Sequence, residues 1–168
     1  AEGELASGLR GMGRLEEPEN ILAILKKEFG LDSAFYGKRV MVSAGPTHEA
    51  IDPVRFIGNR SSGLMGIELA KAFAEKGAEV KLVLGPSNYH LSHPAITIEK
   101  VTTAAQMHKA ISSDFSNAEI TVMAAAVADF TPARVEKEKI KKADGLKSLE
   151  FKPTIDILKE LGFDDDQV

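Results

Sequence analysis

Short apolar runs alternate with segments in which apolar residues recur at helical spacing, beginning near residue 37. Four of these runs have the length of a strand: residues 40–42, 79–84, 96–101 and 120–124. Runs that are almost continuously apolar are typical of strands buried on both faces of a parallel sheet. The order strand, helix, strand, strand, helix, strand predicts an α/β fold, with a Rossmann-like parallel sheet flanked by helices.

Two segments between these runs have the spacing of amphipathic helices. Over residues 63–76, apolar residues fall at i, i+4, i+7 and i+8, and Gly77 ends the predicted helix. Thr103 is predicted to cap a second helix that buries Met107 and Ile111. These helices would cover the sheet on its two faces.

Smaller elements are predicted outside the sheet. Residues 1–18 are rich in glycine and predict an irregular segment, and residues 19–29 predict a short helix closed by Gly30. Near the other end, residues 148–152 predict a short strand. There, Thr154 is predicted to cap a small helix over residues 155–161.

The segment between the first strand and the first helix, residues 43–62, is longer than an ordinary strand-to-helix connection. Small residues before a helix start favour an anion site, because free N–H groups and the helix dipole point there. The same segment SAGPT is also compatible with a tight turn, and it matches neither GxGxxG nor the P-loop pattern. Ligands bind beyond the carboxyl ends of parallel strands, and Gly85-Pro86 and the alanines before Asp129 would meet this loop there.

Each charged candidate has a functional and a structural interpretation. Arg55 can hold an anion through two N–H groups, although an ion pair with Asp52 or Glu49 is slightly favoured. Asp129 can hold ribose hydroxyls, or it can be an N-cap or turn residue. The lysines within residues 137–142 are either a solvated loop or an arm that closes over a polyphosphate. Metal binding is not expected at the two histidines of residues 90–93.

Composition narrows the chemistry. The 168 residues carry a net charge of -4 and contain no cysteine, so no thiol nucleophile, disulfide or zinc–cysteine cluster is available, and nothing favours nucleic acid or membrane. The start of the chain lacks the pattern of a signal peptide, and a cytoplasmic location is expected. Both ends have the character of an excised fragment. No Ser-His-Asp or paired-carboxylate arrangement stands out, so an enzyme here would act by positioning and charge neutralisation.

Several motifs together resemble a known family. They are VMVSAGPTHEAIDPVRFIGNRSSGLMG, LVLGP, AAAVADF, EKIKK and KPTIDIL, in that order. From Gly37 to its end the chain resembles phosphopantothenoylcysteine synthetase, the ligase half of the bifunctional coenzyme A biosynthesis flavoprotein of bacteria. Residues 1–36 then represent the tail of the preceding decarboxylase domain with a linker helix, and residues 37–168 an incomplete ligase domain. Ser7 stands where that decarboxylase family has a cysteine proton donor, and the FMN-binding part of the decarboxylase is absent.

The resemblance implies a two-step ligation of phosphopantothenate and cysteine. CTP and Mg2+ would take part, and an acyl-cytidylate would be the intermediate. It implies that Asn59 acts on this intermediate, that Arg55 orders its loop or binds an anion, and that Lys139 neutralises the triphosphate. The residues implied in nucleotide binding are Gly45, Gly63, Gly66, Met123, Ala124, Ala125, Ala126, Asp129, Lys139, Ile155, Asp156, Ile157 and Leu158. A homodimer or higher oligomer is also implied, with residues 148–152 at the contact.

Two rival functions remain open. One is an NAD(P)-dependent reductase on the same kind of sheet, against which the missing GxGxxG counts. The other is a non-catalytic nucleotide-binding or interaction fragment. Binding of CTP rather than NADPH would separate the ligase from the reductase.

Overall fold

The computed structural model describes residues 2–4, 10–12, 16–29, 33–141 and 148–163. Its elements, in chain order, are β1 (Glu2–Glu4), β2 (Arg10–Met12), α1 (Pro18–Glu28), β3 (Arg39–Ala44), β4 (His48–Ala50), β5 (Phe56–Gly58), α2 (Leu64–Glu75), β6 (Glu79–Leu84), β7 (Ile96–Lys100), α3 (Ala104–Ser112), a 3-10 turn (Phe115–Asn117), β8 (Ile120–Met123), β9 (Phe130–Pro132), β10 (Phe151–Pro153) and α4 (Ile157–Glu160).

A four-stranded parallel sheet with the order β7-β6-β3-β8 forms the centre of the fold. Strand β3 lies between two partners, so that Val42 faces Leu82 on one side and Val122 on the other. The predicted Rossmann-like parallel sheet is therefore confirmed, and the four predicted strands lie within two residues of the observed bounds. Burial of a side chain such as Leu82, which has no exposed surface, stabilises a fold by about 1.5–3 kcal/mol.

Helices cover both faces of this sheet. Successive strand residues point to opposite faces, so Val40 and Val42 of β3 pack in one core with Ala70 of α2. Met41, between them, packs in the other core with Met107 of α3. The alternation along one buried strand thus builds two separate layers, as the sequence predicted.

The two flanking helices begin in different ways. Helix α3 begins after Thr103, whose hydroxyl accepts the Gln106 N–H while the Gln106 side chain accepts the Thr103 N–H. This capping box confirms the predicted cap. Helix α2 begins after Gly63, which has a φ of 78° and provides no side-chain cap. The N-cap residue of α2 therefore provides no side-chain acceptor for the N–H groups of the first turn.

Two segments predicted to be irregular contain short strands, and one predicted strand is displaced. Part of residues 1–18 forms the antiparallel pair β1–β2, and the loop over residues 43–62 contains the antiparallel hairpin β4–β5. The predicted strand at residues 148–152 is shifted to Phe151–Pro153, where it pairs with β9, a strand not predicted. All these strands have three residues, too few for alternation to be visible in the sequence.

Thr154 does not cap the last helix. Its hydroxyl donates to the Ala128 carbonyl at 2.5 Å, and Asp156 caps α4 by accepting the Lys159 N–H at 3.1 Å. Helix α4 is accordingly shorter than predicted. Gly30, predicted as the C-cap of α1, lies outside the described residues, and the described part of α1 is followed by Phe29.

Within the described ranges, no helix is both long enough and apolar enough to cross a bilayer.

Candidate functional site

The carboxyl ends of β3, β6 and β8 meet at one edge of the sheet. The Gly85 N–H donates to the Ala44 carbonyl at 2.8 Å, which joins the end of β6 to that of β3. The Ala126 N–H donates to the Gly45 carbonyl at 2.8 Å, and the Thr47 N–H donates to the Ala126 carbonyl at 3.3 Å. The three strand ends predicted to converge are therefore joined by backbone hydrogen bonds.

This junction is too narrow for side chains. A Cβ atom on Gly85 would lie 1.9 Å from the Pro46 carbonyl oxygen, so two backbone segments cross there in direct contact. Gly45 itself has a φ of +81°, a left-handed conformation that glycine adopts without strain. The floor of the candidate site is consequently backbone.

Helix α2 points its N-terminus at this junction. A Cβ on Gly63 would lie 3.0 Å from the Gly45 Cα, which places the helix start against the end of β3. Ser61 and Ser62 hydroxyls accept the Gly63 and Leu64 N–H groups, both at 3.3 Å. The hydroxyls thus sit among the donors of the first turn, where a helix favours negative charge.

Gly66 has a packing role. A Cβ at this position would lie 2.5 Å from the Ala44 Cβ, so the glycine lets the first turn of α2 approach β3. Its contribution to a phosphate site, implied by the family, would be to set the height of the helix start over the sheet.

Ser87 is a residue of this edge that the sequence prediction missed. Its hydroxyl donates to the Ser62 carbonyl at 2.7 Å, which links the loop after β6 to the start of α2. The signal available in the sequence was a serine two residues after Gly85 in a polar loop.

The N–H groups of the alanine run bond inside the protein. Ala124 donates to the Ser43 carbonyl at 3.1 Å, and Ala125 donates to the Ser43 hydroxyl at 3.3 Å. The Ser43 hydroxyl also lies 3.8 Å from the Met123 sulfur. A ligand at this edge would therefore meet the small, partly exposed alanine side chains rather than a row of free N–H donors.

Thr47 fixes the far end of the alanine run. Its side chain is fully buried, and its Oγ1 accepts the Ala128 N–H at 2.9 Å. Together with the bond between the Thr47 N–H and Ala126, this holds the backbone that leads to Asp129.

Replacing Thr47 with valine should lower the free energy of unfolding by about 1–3 kcal/mol, because the buried Ala128 N–H loses its acceptor. Urea denaturation measures this change. Thr97→Val, at an exposed position of β7, is the matched control and should change the free energy by less than about 0.5 kcal/mol. Equal values for the two variants would contradict the assigned role of Thr47.

Asn59 follows the hairpin β4–β5 and reaches the alanine run. Its Nδ2 donates to the Val127 carbonyl at 2.9 Å, and the residue is exposed. Within the hairpin, the His48 ring stacks on Phe56 with centroids 3.8 Å apart. The hairpin therefore carries Asn59 to the same edge as the strand ends.

Arg55 forms the ion pair with Asp52 that the sequence favoured. Its Nε donates to Asp52 Oδ2 at 2.9 Å, and a terminal guanidinium nitrogen donates to the same oxygen. Another bond runs from this terminal nitrogen to the Ile140 carbonyl at 2.9 Å. The pair is thus more than a surface contact, because it extends to the lysine-containing segment.

The pKa of the Asp52 carboxyl lies far below its usual range. The Arg55 side chain is the main cause, and the N–H groups of Val54, Ile140 and Arg55 lower the pKa further, while burial opposes the shift. A carboxylate with a lowered pKa stabilises the fold above its unfolded pKa of about 3.9, and this contribution is lost as the pH falls toward the folded pKa. Asp52 is therefore charged throughout the neutral range.

Glu49 does not pair with Arg55. Its carboxylate is almost fully buried and accepts the Ala104 N–H at 2.8 Å, at the start of α3. The hairpin is also tied to the segment before α3, since the His48 N–H donates to the Thr102 carbonyl at 2.7 Å. The sequence pattern predicts Glu49 only as a partner for Arg55 and gives no sign of this contact with the start of α3.

Thr154 connects the last described segment to this edge. Its N–H donates to the Asp129 carbonyl at 2.9 Å, and its hydroxyl bonds to Ala128. Asp129 is exposed and lies beside this junction.

The family-implied residues after Thr154 have different environments. Ile157 is buried in the core with Met107, Asp156 caps α4, and Ile155 is exposed. Ile155 is thus available to face a ligand, whereas the Ile157 side chain serves the core.

Lys139 lies on an exposed stretch beside Ile140. Within the described ranges, Lys139 has no hydrogen bond or ion pair. The structure therefore brings together Asn59, the strand ends and the start of α2, and it ties the backbone next to Lys139 to the same hairpin.

A cavity of about 1020 Å³ lies elsewhere, at the amino ends of β3 and β6. Its lining includes Arg39, Glu79, Pro94, Asp114 and Asn117. Parallel sheets of this type bind ligands beyond the carboxyl ends of their strands, and the size of the cavity alone is not a reason to place the site at the amino ends. We therefore assign the candidate site to the carboxyl edge.

The chain is similar to an enzyme of coenzyme A biosynthesis. It is 48% identical over 164 residues to the coenzyme A biosynthesis bifunctional protein CoaBC of Bacillus subtilis strain 168. This alignment covers 96% of the chain and 40% of that protein. The chain thus spans less than half the length of this relative.

Solved structures show the same fold. The crystal structure of the C-terminal domain of a bifunctional CoaBC protein has a TM-score of 0.66 and 39% identity, covering 79% of this chain and 61% of that one. A Cab2 mutant in complex with phosphopantothenate-cysteine has a TM-score of 0.61 and 20% identity, covering 87% of this chain and 67% of that one. At the latter identity the similarity concerns the fold alone.

Residues 35–168 match the family described as DNA/pantothenate metabolism flavoprotein C-terminal domain. This match and the CoaBC relatives confirm the family that the motifs resemble. They do not favour the alternative of an NAD(P)-dependent reductase. The chain belongs to the DNA/pantothenate metabolism flavoprotein C-terminal domain family.

Proposed function

We propose that this chain is a CTP-dependent ligase domain that joins phosphopantothenate to cysteine. The observation that carries the proposal is the junction of three strand ends, with Asn59 bonded to it at Val127. The family match and the CoaBC relatives support a function in coenzyme A biosynthesis. The choice of substrates follows from the motif resemblance to phosphopantothenoylcysteine synthetase, and the Cab2 mutant, solved with phosphopantothenate-cysteine, shares the fold.

The proposed reaction has two steps. A carboxylate oxygen of phosphopantothenate attacks the α-phosphorus of CTP, forming an O–P bond while pyrophosphate leaves. The amine nitrogen of cysteine then attacks the acyl carbon, forming the amide while CMP leaves and the nitrogen loses a proton. Neither step needs a protein nucleophile, in agreement with a chain that contains no cysteine.

The protein would contribute position and charge. The N-terminus of α2 and the hydroxyls of Ser61 and Ser62 would face the phosphates. The Lys139 ammonium would neutralise charge on the triphosphate, and the exposed Asp129 would accept hydrogen bonds from ribose hydroxyls. Preorganised charge of this kind stabilises a transition state without a covalent intermediate on the enzyme.

Asn59 would hold the acyl-cytidylate. An amide has two N–H donors and one acceptor oxygen, so the bond from Nδ2 to Val127 orients the group and leaves capacity for a ligand. Among the described residues, no group of three or more His, Cys, Asp or Glu side chains is arranged to hold a metal. Mg2+ would be bound mainly by the triphosphate, the usual ligand of this ion in nucleotide sites.

A homodimer is part of the proposal, because the family resemblance implies one. Phe130 and Phe151 lie on the paired strands β9 and β10 and are about half exposed, which suits a contact near residues 148–152. Sedimentation equilibrium would give twice the mass of one chain if this is correct, and the mass of one chain at high concentration if it is wrong.

Calorimetry with CTP, ATP and NADPH tests the proposed function. We expect CTP to bind the unaltered chain and NADPH not to bind. Heat with NADPH but not with CTP would reverse the assignment in favour of a reductase. Binding of CTP without formation of ligated product would favour the third candidate, a nucleotide-binding fragment.

A further inference from the structure

The lysine-containing segment is attached to the turn between β4 and β5. The Glu136 N–H donates to the Ile51 carbonyl at 3.0 Å. The Ile140 N–H donates to Asp52 Oδ2 at 3.1 Å, and the Ile140 carbonyl accepts from Arg55 at 2.9 Å. Both backbone groups of Ile140 are therefore held by the Asp52–Arg55 pair.

Asp52 is the centre of this attachment. Its Oδ1 accepts the Val54 and Arg55 N–H groups, each at 2.9 Å, which closes the turn. Its Oδ2 accepts both the Arg55 side chain and the Ile140 N–H. The Asp52 side chain has 0% exposure, whereas Arg55 has 42%. A buried carboxylate with this many donors holds the donating groups firmly in place, since hydrogen bonds to a charged group are stronger than neutral ones.

The same hairpin reaches the strand ends at its base. Thr47, just before β4, bonds to Ala126, and Asn59, just after β5, bonds to Val127. The hairpin thus connects the alanine run at one end with Ile140 at the other. Lys139 is the residue before Ile140, so its Cα lies about 3.8 Å from a pinned position.

We propose that Asp52, acting with Arg55, is a positioning residue that holds the backbone at Ile140 so that Lys139 reaches the triphosphate. The inference rests on the proposed function. A lysine on a pinned backbone loses less conformational freedom on binding than one on an unattached loop. Asp52 itself does not touch the nucleotide and acts through Lys139.

Asp52→Asn is the first test. The amide keeps the shape of the side chain, removes its charge and replaces an acceptor oxygen with an N–H group. Without nucleotide, trypsin should cleave after Lys137 and Lys139 faster than in the unaltered chain. With nucleotide, the Kd for CTP should rise by about tenfold, as expected for the loss of one charge-assisted hydrogen bond.

A double-substitution cycle separates positioning from general damage. If Asp52 acts through Lys139, then Asp52→Asn combined with Lys139→Ala should bind CTP no more weakly than Lys139→Ala alone. Asp114→Asn is the matched control, because Asp114 also pairs with a cation but lies at the opposite edge, near Lys81. This control should change neither the cleavage rate nor the Kd.

Arg55→Lys keeps the experiment informative if Asp52→Asn folds poorly. It retains the positive charge but loses the fork that reaches both Asp52 and Ile140, and it should also speed cleavage after Lys139. Unchanged cleavage in both variants, or additive losses in the double variant, would overturn the proposal. If the unaltered chain fails to bind CTP, the proposed function fails and the positioning inference fails with it. Unchanged affinity in Asp52→Asn, with binding by the unaltered chain, would overturn only the inference.

Discussion

Asn59→Ala is expected to bind CTP with nearly unchanged affinity and to form ligated product at a rate about 10²–10³-fold lower, the loss typical of removing one preorganised polar group from an active site. The expectation follows from the place of Asn59, whose amide is oriented by Val127 beside the strand ends. Phosphates would be held mainly by the α2 start and Lys139, so their binding does not depend on this amide.

Two measurements on each variant check this separation. Calorimetry gives the Kd for CTP, and mass spectrometry gives the rate at which phosphopantothenoylcysteine appears. Asn117→Ala is the matched control, because Asn117 is an exposed asparagine that bonds Asp114 at the other edge of the sheet. Full turnover in Asn59→Ala would remove Asn59 from the proposed mechanism.

Gly85→Ala is expected to cause the largest loss of stability among the single substitutions considered. The new Cβ would lie 1.9 Å from the Pro46 carbonyl oxygen, and both partners are backbone, so neither can move without separating β3 from β6. Overpacking of a tight site costs about 1–3 kcal/mol and occasionally more. We expect a loss of about 3 kcal/mol or more here, a large fraction of the usual stability of a domain.

Gly37→Ala is the control for a general effect of replacing glycine. Gly37 has a φ of +70°, and a Cβ there would have no atom within 4 Å. Its substitution should cost only about 1 kcal/mol, from the backbone conformation. Denaturation curves of the two variants that give the same free energy of unfolding would show that the crossing at Gly85 is not tight.

The central sheet could be predicted because its strands are buried on both faces. Residues such as Val42 and Leu82 leave a nearly continuous apolar signal, and the helices between them have clear start and stop residues, Thr103 and Gly77. These signals are local, so they can be recognised in the sequence without knowing which elements pack together in the fold.

The hairpin β4–β5 could not be predicted in the same way. Its strands have three residues each, and Phe56 and Ile57 of β5 are exposed, so no alternation of apolar and polar positions identifies them. The Asp52–Arg55 pair was visible as an i,i+3 spacing, but its bond to Ile140 joins residues 88 and 85 positions apart. Only the fold places such partners together.

Caps near the end of the chain were ambiguous for another reason. Thr154 and Asp156 are both good N-cap residues, and they stand two positions apart. The choice between them was decided by a distant acceptor, the Ala128 carbonyl, which accepts the Thr154 hydroxyl. Asp156 was left to cap α4.

In the proposed function, the three strand ends, the α2 start and the segment around Lys139 form one polyphosphate site. The most direct measurement is a titration of the ¹⁵N-labelled chain with CTP, followed by amide chemical shifts. We expect the amide shifts of five residues to saturate together with a single Kd: Gly45, Gly63, Ala126, Asp129 and Ile140. Shifts confined to the cavity at the amino ends, around Glu79 and Asn117, would contradict it.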